Sequence, residues 1–219
     1  SKAINLKDNI GSTITNNSGG IIRSGTGDAI SGEQDTGDET SGNTITNSGT
    51  IYSDDQRAIN FFSDATTSTV TNNSSGHIYN SNTNETIKLD TSSTLTNSGK
   101  IENKNSADNN SILLIGDNNT VTLKDSGLII GTIEASSGTS GNTLKIQHGI
   151  GQSYYYKTSG TFDLEDLDGN QIVKGSAGSV GQGGSETLDE MLSYKTINLR
   201  NFFDSYTNSN FYNNEGGWG

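Results

Sequence analysis

The sequence has no cysteine and no proline, and only two of its 219 residues are histidines. The absence of cysteine excludes disulfides and thiolate metal sites. Only 28% of the residues are hydrophobic, and no apolar run is long enough to form a membrane-spanning helix. Such a polar chain could be disordered, but disordered segments are usually rich in proline. The composition therefore favours a folded chain with a thin, repeated core.

Positive charge is also scarce, since 13 basic residues face 25 acidic ones and the net charge is −12. Binding to DNA or RNA depends on neutralising phosphates with lysine and arginine. No nucleic-acid partner and no anionic membrane partner is therefore expected.

The sequence is rich in a repeat, Thr-Ile-Thr-Asn followed by Ser-Gly. Its central apolar residues are spaced by 31, 25, 25, 26 and 23 positions, at Ile14, Ile45, Val70, Leu95, Val121 and Leu144. A second short motif precedes the first five copies, centred on Ile4, Ile30, Ile59, Ile87 and Ile112. Three short strands in each repeat of about 25 residues are typical of a solenoid. The sequence predicts an all-β, right-handed parallel β-helix of about six coils over residues 1–146.

Alternation within Thr-Ile-Thr places the middle residue inside and both threonines outside. Stacking would then align the following asparagines as a ladder at one corner, formed by Asn16, Asn47, Asn72 and Asn97. Asn or Gly in this turn is expected to take the left-handed conformation that β-branched residues resist.

The repeat fades after residue 146, and the remaining chain divides into three parts. Residues 147–175 are predicted to form a β cap, with a hairpin turn at Asp168-Gly169. Its three consecutive tyrosines, 154–156, would cover the open end of the solenoid or, alternatively, stack on sugars. Residues 176–185 form a Gly/Ser linker. Residues 186–219 contain a short amphipathic α-helix, which docks on the solenoid or links to a neighbouring domain, and the start of a following segment.

An insertion lengthens the second repeat and carries four carboxylates in seven residues, at Glu33, Asp35, Asp38 and Glu39. Calcium prefers several oxygen ligands, so this segment is a candidate calcium site. A solvated acidic loop is the alternative. No other cofactor is expected.

The sequence carries little that indicates catalysis. Only His77 and His148 could act as neutral bases, and neither a Gly-x-Ser-x-Gly nor a His-Glu-x-x-His motif is present. His77 occupies a variable position of the repeat, equivalent to Thr50 and Lys100. The chain is not expected to be an enzyme.

The run Thr-Ile-Thr-Asn-Ser-Gly-Thr-Ile resembles the passenger repeats of bacterial type V autotransporters over roughly residues 1–146. The hairpin, linker and helix that follow also resemble the passenger-to-barrel junction of that family. This resemblance implies export through the outer membrane, display at the bacterial cell surface and a role as an adhesin. It also implies an outer-membrane barrel in the same full-length polypeptide.

The outward threonines are the candidate binding residues: Thr13, Thr15, Thr44, Thr46, Thr69, Thr71, Thr94 and Thr96. The first hypothesis is a structural stalk or adhesin that makes multivalent contacts with host or neighbouring cell-surface molecules. The array also resembles the ice-binding faces of some β-helical antifreeze proteins. A third hypothesis is self-assembly, because an exposed solenoid end can accept another strand.

Overall fold

The chain forms a β-solenoid of about six turns in which nearly all strands pair in parallel. The structure is a computed structural model that describes residues 1–33, 40–62, 65–125, 127–152, 154–170, 172–173, 178–179, 196 and 199. The first five turns each contribute one strand to each of three sheets, so the predicted parallel β-helix is confirmed. The right-handed sense of the coil stays a prediction.

The first sheet contains seven strands that follow the short Ile-centred motif. They are β1 (Ile4–Asn5), β4 (Ile30–Gly32), β7 (Ile59–Phe61), β10 (Ile87–Leu89), β13 (Asn110–Leu114), β16 (Thr132–Ala135) and β19 (Lys157–Ser159).

The second sheet also contains seven strands and carries the Thr-Ile-Thr-Asn motif. They are β2 (Thr13–Asn16), β5 (Thr44–Asn47), β8 (Thr69–Asn72), β11 (Thr94–Asn97), β14 (Thr120–Lys124), β17 (Thr143–Gln147) and β20 (Asp163–Asp166).

The third sheet is shorter, with five strands among the described residues. They are β3 (Ile21–Ser24), β6 (Thr50–Ser53), β9 (His77–Asn80), β12 (Lys100–Asn103) and β15 (Leu128–Ile130). Three further short strands form a small antiparallel sheet near the C-terminal end, β18 (Tyr154–Tyr155), β21 (Ile172–Val173) and β22 (Gly178–Ser179).

The core consists of inward columns of mainly aliphatic side chains from the three main sheets. In the second sheet, the in-register residues are Ile14, Ile45, Val70, Leu95, Val121, Leu144 and Leu164. The members from Ile45 to Leu144 are buried, whereas Ile14 is half-buried and Leu164 is exposed at the two ends. Because each coil covers the next, few apolar residues per coil are enough to exclude water.

The asparagines after the Thr-Ile-Thr motif form the expected ladder at the corner between the second and third sheets. Asn16, Asn47 and Asn72 each donate a side-chain amide hydrogen bond of 2.8 Å to Oδ1 of the next asparagine along the column, ending at Asn97. All four side chains are buried, and their amides also donate to backbone carbonyls of the turn. The ladder thus satisfies polar groups that the stacking buries.

The glycine of the same corner is needed because neighbouring atoms lie too close to leave room for a side chain, and not because the backbone is left-handed. A Cβ atom on Gly76 would lie 2.1 Å from Oδ1 of Asn72, and one on Gly99 would lie 2.3 Å from the carbonyl of Gly76. Neither glycine has a positive φ, so the expectation of a left-handed turn is wrong at these positions.

Left-handed residues instead form a column at the corner between the first and second sheets, two residues before each strand from β2 to β17. They are Gly11, Gly42, Thr67, Ser92, Asn118 and Gly141. The residue that follows each of them is polar and, from Asn43 onward, buried, and most of these side chains accept a hydrogen bond from a backbone N–H of the preceding coil. This corner is a second polar column, which the sequence analysis missed.

The C-terminal part continues the solenoid further than the predicted boundary at residue 146. Strand β20, which precedes the Asp168-Gly169 turn, pairs in parallel with β17, and β19 pairs in parallel with β16. The turn itself is present, with Gly169 at φ +80. The antiparallel pairing involves β18, β21 and β22 instead, so the hairpin lies after the turn rather than across it.

Of the three consecutive tyrosines, Tyr156 packs against the end of the core beside β15, whereas Tyr155 is exposed. The side chain of Tyr156 is buried in the core cluster, and its hydroxyl hydrogen-bonds to the carbonyl of Gly127 at 3.1 Å. The predicted linker and helix lie outside the described residues, apart from Gly178 and Ser179 in β22 and the helical residues Thr196 and Leu199. Within the part that is described, no helix is long and apolar enough to cross a membrane.

The ladder predicts that Asn72→Ala destabilises the fold far more than an exposed asparagine does. The substitution leaves the buried Asn47 amide and Asn97 carbonyl without their partners, so we expect the free energy of unfolding to fall by about 2–4 kcal/mol. Urea unfolding followed by circular dichroism measures this. Asn17→Ala, at an exposed position next to the ladder, is the control and should change stability by less than about 0.5 kcal/mol. Equal effects of the two variants would contradict the role assigned to the ladder.

Candidate functional site

The outer face of the second sheet carries two parallel columns of threonine. The first column consists of Thr13, Thr44, Thr69, Thr94, Thr120 and Thr143, and the second of Thr15, Thr46, Thr71, Thr96 and Thr122. No register shift interrupts these pairings, so the hydroxyl and methyl groups repeat at the strand spacing of about 4.8 Å. We call this surface the threonine face.

All eight predicted binding residues lie on the threonine face. Thr13 and Thr15 in the first coil are exposed, and the other six, in the next three coils, are half-buried because neighbouring threonines cover part of each other. Charged residues replace threonine at the C-terminal end of the second column. Lys145 and Glu165 follow Thr122 there and form an ion pair of 3.1 Å.

Of the candidate calcium ligands, only Glu33 lies among the described residues. Its carboxylate accepts a hydrogen bond of 2.7 Å from the Lys2 ammonium group, an arrangement that already neutralises its charge. Asp35, Asp38 and Glu39 lie outside the described residues. No group of three or more His, Asp or Glu side chains able to hold a metal ion occurs in the described part of the chain. The calcium site stays a prediction.

The outer face of the third sheet carries a column of cations and aromatic rings. The Tyr52 and Tyr79 rings stack with centroids 4.7 Å apart and planes 12° from parallel. The guanidinium group of Arg23 lies 5.5 Å from the Tyr52 ring centre, and the Lys104 ammonium group lies 3.3 Å from that of Tyr79. Cations are attracted to ring faces, so this column is held together along its length.

This column was not predicted, although the sequence contains a signal for it. Arg23, Tyr52, Tyr79 and Glu102 each directly follow the central isoleucine of a third-sheet strand. Aligning that position across the repeats would have placed them side by side.

His77 lies next to this column in a small charged cluster. Its Nε2 is 2.8 Å from Oε1 of Glu102, whose other oxygen lies 2.5 Å from the Lys100 ammonium group. Burial lowers the pKa of His77, and the opposing attraction of Glu102 does not offset this. Burial alone would raise the pKa of Glu102, but Lys100 and His77 outweigh it, so the carboxyl has a pKa below its usual value. At neutral pH, His77 is therefore a neutral donor to an ionised carboxylate.

The positions equivalent to His77 in the adjacent coils are Thr50 and Lys100, as the repeat predicts. The side chain of His77 is half-buried, with 28% of its surface exposed. His148 lies away from it, near the C-terminal end, where its ring contacts Tyr154 and Tyr156.

Comparison with protein-family models, curated proteins and solved structures finds no match for this chain. The functional interpretation therefore depends on the geometry of its own outer faces.

The lowered pKa of His77 predicts a loss of stability in mild acid. The unfolded chain takes up a proton near the ordinary pKa of 6.5, while the folded chain resists it until lower pH. The stability of the folded chain is thus unaffected by His77 protonation above pH 6.5. It decreases as the pH falls from 6.5 toward the lower pKa that His77 has in the folded chain. Glu102 titrates in a lower window, since its ordinary pKa is 4.5.

His77→Gln tests this expectation, because glutamine can donate a hydrogen bond to Glu102 without titrating. Urea unfolding of both proteins at about pH 7.5 and about pH 5.5 gives the comparison. We expect the native chain to lose more stability than the variant over this interval. His148 is present in both proteins, so its contribution to the comparison cancels. Identical losses would contradict the assignment to His77.

Proposed function

We propose that this chain is a structural stalk of a surface-displayed or secreted bacterial protein and adheres through the threonine face. One observation carries the proposal: the in-register columns of threonine present the same chemistry on successive coils. Each hydroxyl can donate and accept a hydrogen bond, and each methyl offers a small apolar contact. Every contact is weak alone, but linked contacts to an extended ligand reinforce one another.

The stacked architecture also supports a stalk. Each coil buries its aliphatic residues against its neighbours and satisfies its corners with buried amides, so the outer faces can carry contacts without weakening the core. The repeated Thr-Ile-Thr-Asn-Ser-Gly motif, which resembles autotransporter passengers, supports display at the cell surface. An outer-membrane barrel in the same polypeptide belongs to this proposal.

The binding partner that suits this face is a neutral, hydrogen-bonding polymer on a host or neighbouring cell. The net charge of −12 opposes polyanions, and the threonine face itself is uncharged between Thr13 and Thr122. Recognition along several coils would give affinity that grows with the number of coils engaged.

A variant with lysine at three adjacent coils of one column, Thr46→Lys, Thr71→Lys and Thr96→Lys, tests the adhesive face. We expect cells to be retained about tenfold less on a surface coated with this variant, because multivalent affinity falls with each lost contact. The single variant Thr71→Lys should lower retention by no more than about threefold. Counting retained epithelial or bacterial cells in a flow chamber gives the measurement.

The control has the same added charge outside the threonine face: Asn5→Lys, Thr50→Lys and Leu113→Lys. Lysine is compatible with these outward positions, since Lys100 is the in-register equivalent of Thr50, and Lys88 pairs with Leu113. Retention should remain close to that of the native chain. Equal losses in both triple variants would show that net charge, and not the face, controls adhesion.

A second candidate function is ice binding, which the uninterrupted register of the two threonine columns favours. A flat array of hydroxyl and methyl groups at fixed spacing can hold ordered water molecules. Ice binding requires the regular spacing of the threonines, whereas adhesion requires only that their hydroxyl and methyl groups are exposed.

Ice binding predicts that the chain shapes ice crystals and that Thr46→Lys with Thr71→Lys abolishes the effect. The two lysines project charged, mobile side chains from the middle of the array and disorder the water above it. Inspection of single crystals growing in the protein solution is the measurement. Unshaped crystals with the native chain would exclude this function and leave adhesion unaffected.

A further inference from the structure

A groove opens where the third sheet ends. The first and second sheets continue to β19 and β20, but the described part of the third sheet stops at β15, and Leu128 at its start is 48% exposed. In the next coil the chain departs from the repeat, and Tyr154 and Tyr155 pair in antiparallel fashion with β22. Within the described part of the chain, no further strand of the third sheet lies beside Leu128.

Aromatic rings form one wall of this groove. The His148 ring lies 5.4 Å from that of Tyr154 and 5.8 Å from that of Tyr156. His148 is fixed at both nitrogens, since Nδ1 bonds to the carbonyl of Asp125 and Nε2 to the hydroxyl of Tyr156. Tyr155 is 67% exposed beside this fixed cluster. The rings of His148, Tyr154 and Tyr156 are therefore preorganised, which reduces the entropy lost on binding.

Polar groups line the rest of the groove. One cavity of about 300 Å³ is lined by Asp125, Gln152 and the tyrosines, and an adjoining one of about 550 Å³ by Ser75, His77 and Lys100. The two cavities share Asp125 and Leu128 as lining residues, so they lie next to each other, and we call them together the groove. The Asp125 carboxylate accepts a hydrogen bond of 3.1 Å from Ser98 and is exposed to the groove.

We propose that this groove binds a neutral oligosaccharide. Its volume lies in the range of small-ligand sites, and it pairs an exposed aromatic ring with a carboxylate, an amide and hydroxyl groups. A sugar ring offers the matching surfaces: an apolar face of C–H groups for Tyr155 and Leu128, and hydroxyls for Asp125 and Gln152. A purely apolar ligand would leave these polar groups unpaired. A polyanion would meet the excess of acidic charge on the chain.

The binding site is separate from the threonine face, because none of its lining residues belongs to the two threonine columns. The groove would recognise a short stretch of sugar units, whereas the threonine face would make repeated weak contacts. Each can therefore be tested without the other.

The test uses three neutral trisaccharides as probes: chitotriose, cellotriose and maltotriose, each titrated into the intact chain by calorimetry. We expect at least one to bind with a Kd of about 1 mM or tighter. Tyr155→Ala should weaken that binding by about tenfold or more, while Tyr155→Phe, which keeps the ring, should stay within about threefold. Asp125→Asn should also weaken binding, and asparagine tolerates the positive φ of 57° at this position.

Tyr52→Ala is the matched control, because it removes a tyrosine side chain that lies in the third sheet, outside the groove. It should bind the probe like the native chain, as should the triple lysine variant of the threonine face. Circular dichroism verifies that Tyr155→Ala is folded, as its exposure leads us to expect. The proposal is overturned if none of the probes binds at about 10 mM, or if Tyr155→Ala binds as well as the native chain.

Discussion

The constraint on which this structure depends is the hydrogen bonding of its buried corners. Each coil turns three times, and stacking the coils removes the turns from water, although their N–H and C=O groups still need partners. The chain meets this need with side chains in register. Between the second and third sheets, Asn47 donates to Asn72, and Asn72 to Asn97. Between the first and second, Ser93 and Asn119 donate backbone N–H groups to the side chains of the next coil.

These columns explain why the chain can fold with so few apolar residues. In a globule, a buried asparagine is a cost unless its surroundings happen to satisfy it. Here the hydrogen-bond partner of each asparagine is the equivalent asparagine of the next coil. Placing asparagine at this position of every repeat therefore satisfies the side-chain amides of the whole column. Gly76 and Gly99 fit the same logic, because the asparagine columns and turn carbonyls leave no room there for a Cβ atom. The core and the corners thus fix the distance between successive coils, and this distance sets how far apart equivalent side chains lie on the outer faces.

Much of this could be predicted from the sequence, because the information is periodic. The column Ile45, Val70, Leu95 and the asparagine ladder follow once the repeats are aligned. What escaped prediction has a weaker periodic signal. The left-handed positions carry Gly, Thr, Ser and Asn with no common identity. The continuation of the coils through β20 is carried by Asp163–Asp166, whose acidic residues replace the threonines of the motif. The stack of Tyr52 and Tyr79 depends on a position that also carries Arg23 and Glu102.

The same periodicity sets where each kind of binding can occur. Where successive coils carry the same outward residue, that residue forms a column on the surface. A regular face such as the threonine columns can therefore offer a ligand many equal, shallow contacts. A concave site forms where adjacent coils differ in shape, and identical coils cannot produce such a difference. The groove beside Leu128 arises where a strand of the third sheet is replaced by the segment of His148 and Tyr155. Under the two binding proposals, avidity would come from the repeated threonine face, and selectivity from the groove, where the repeat is interrupted.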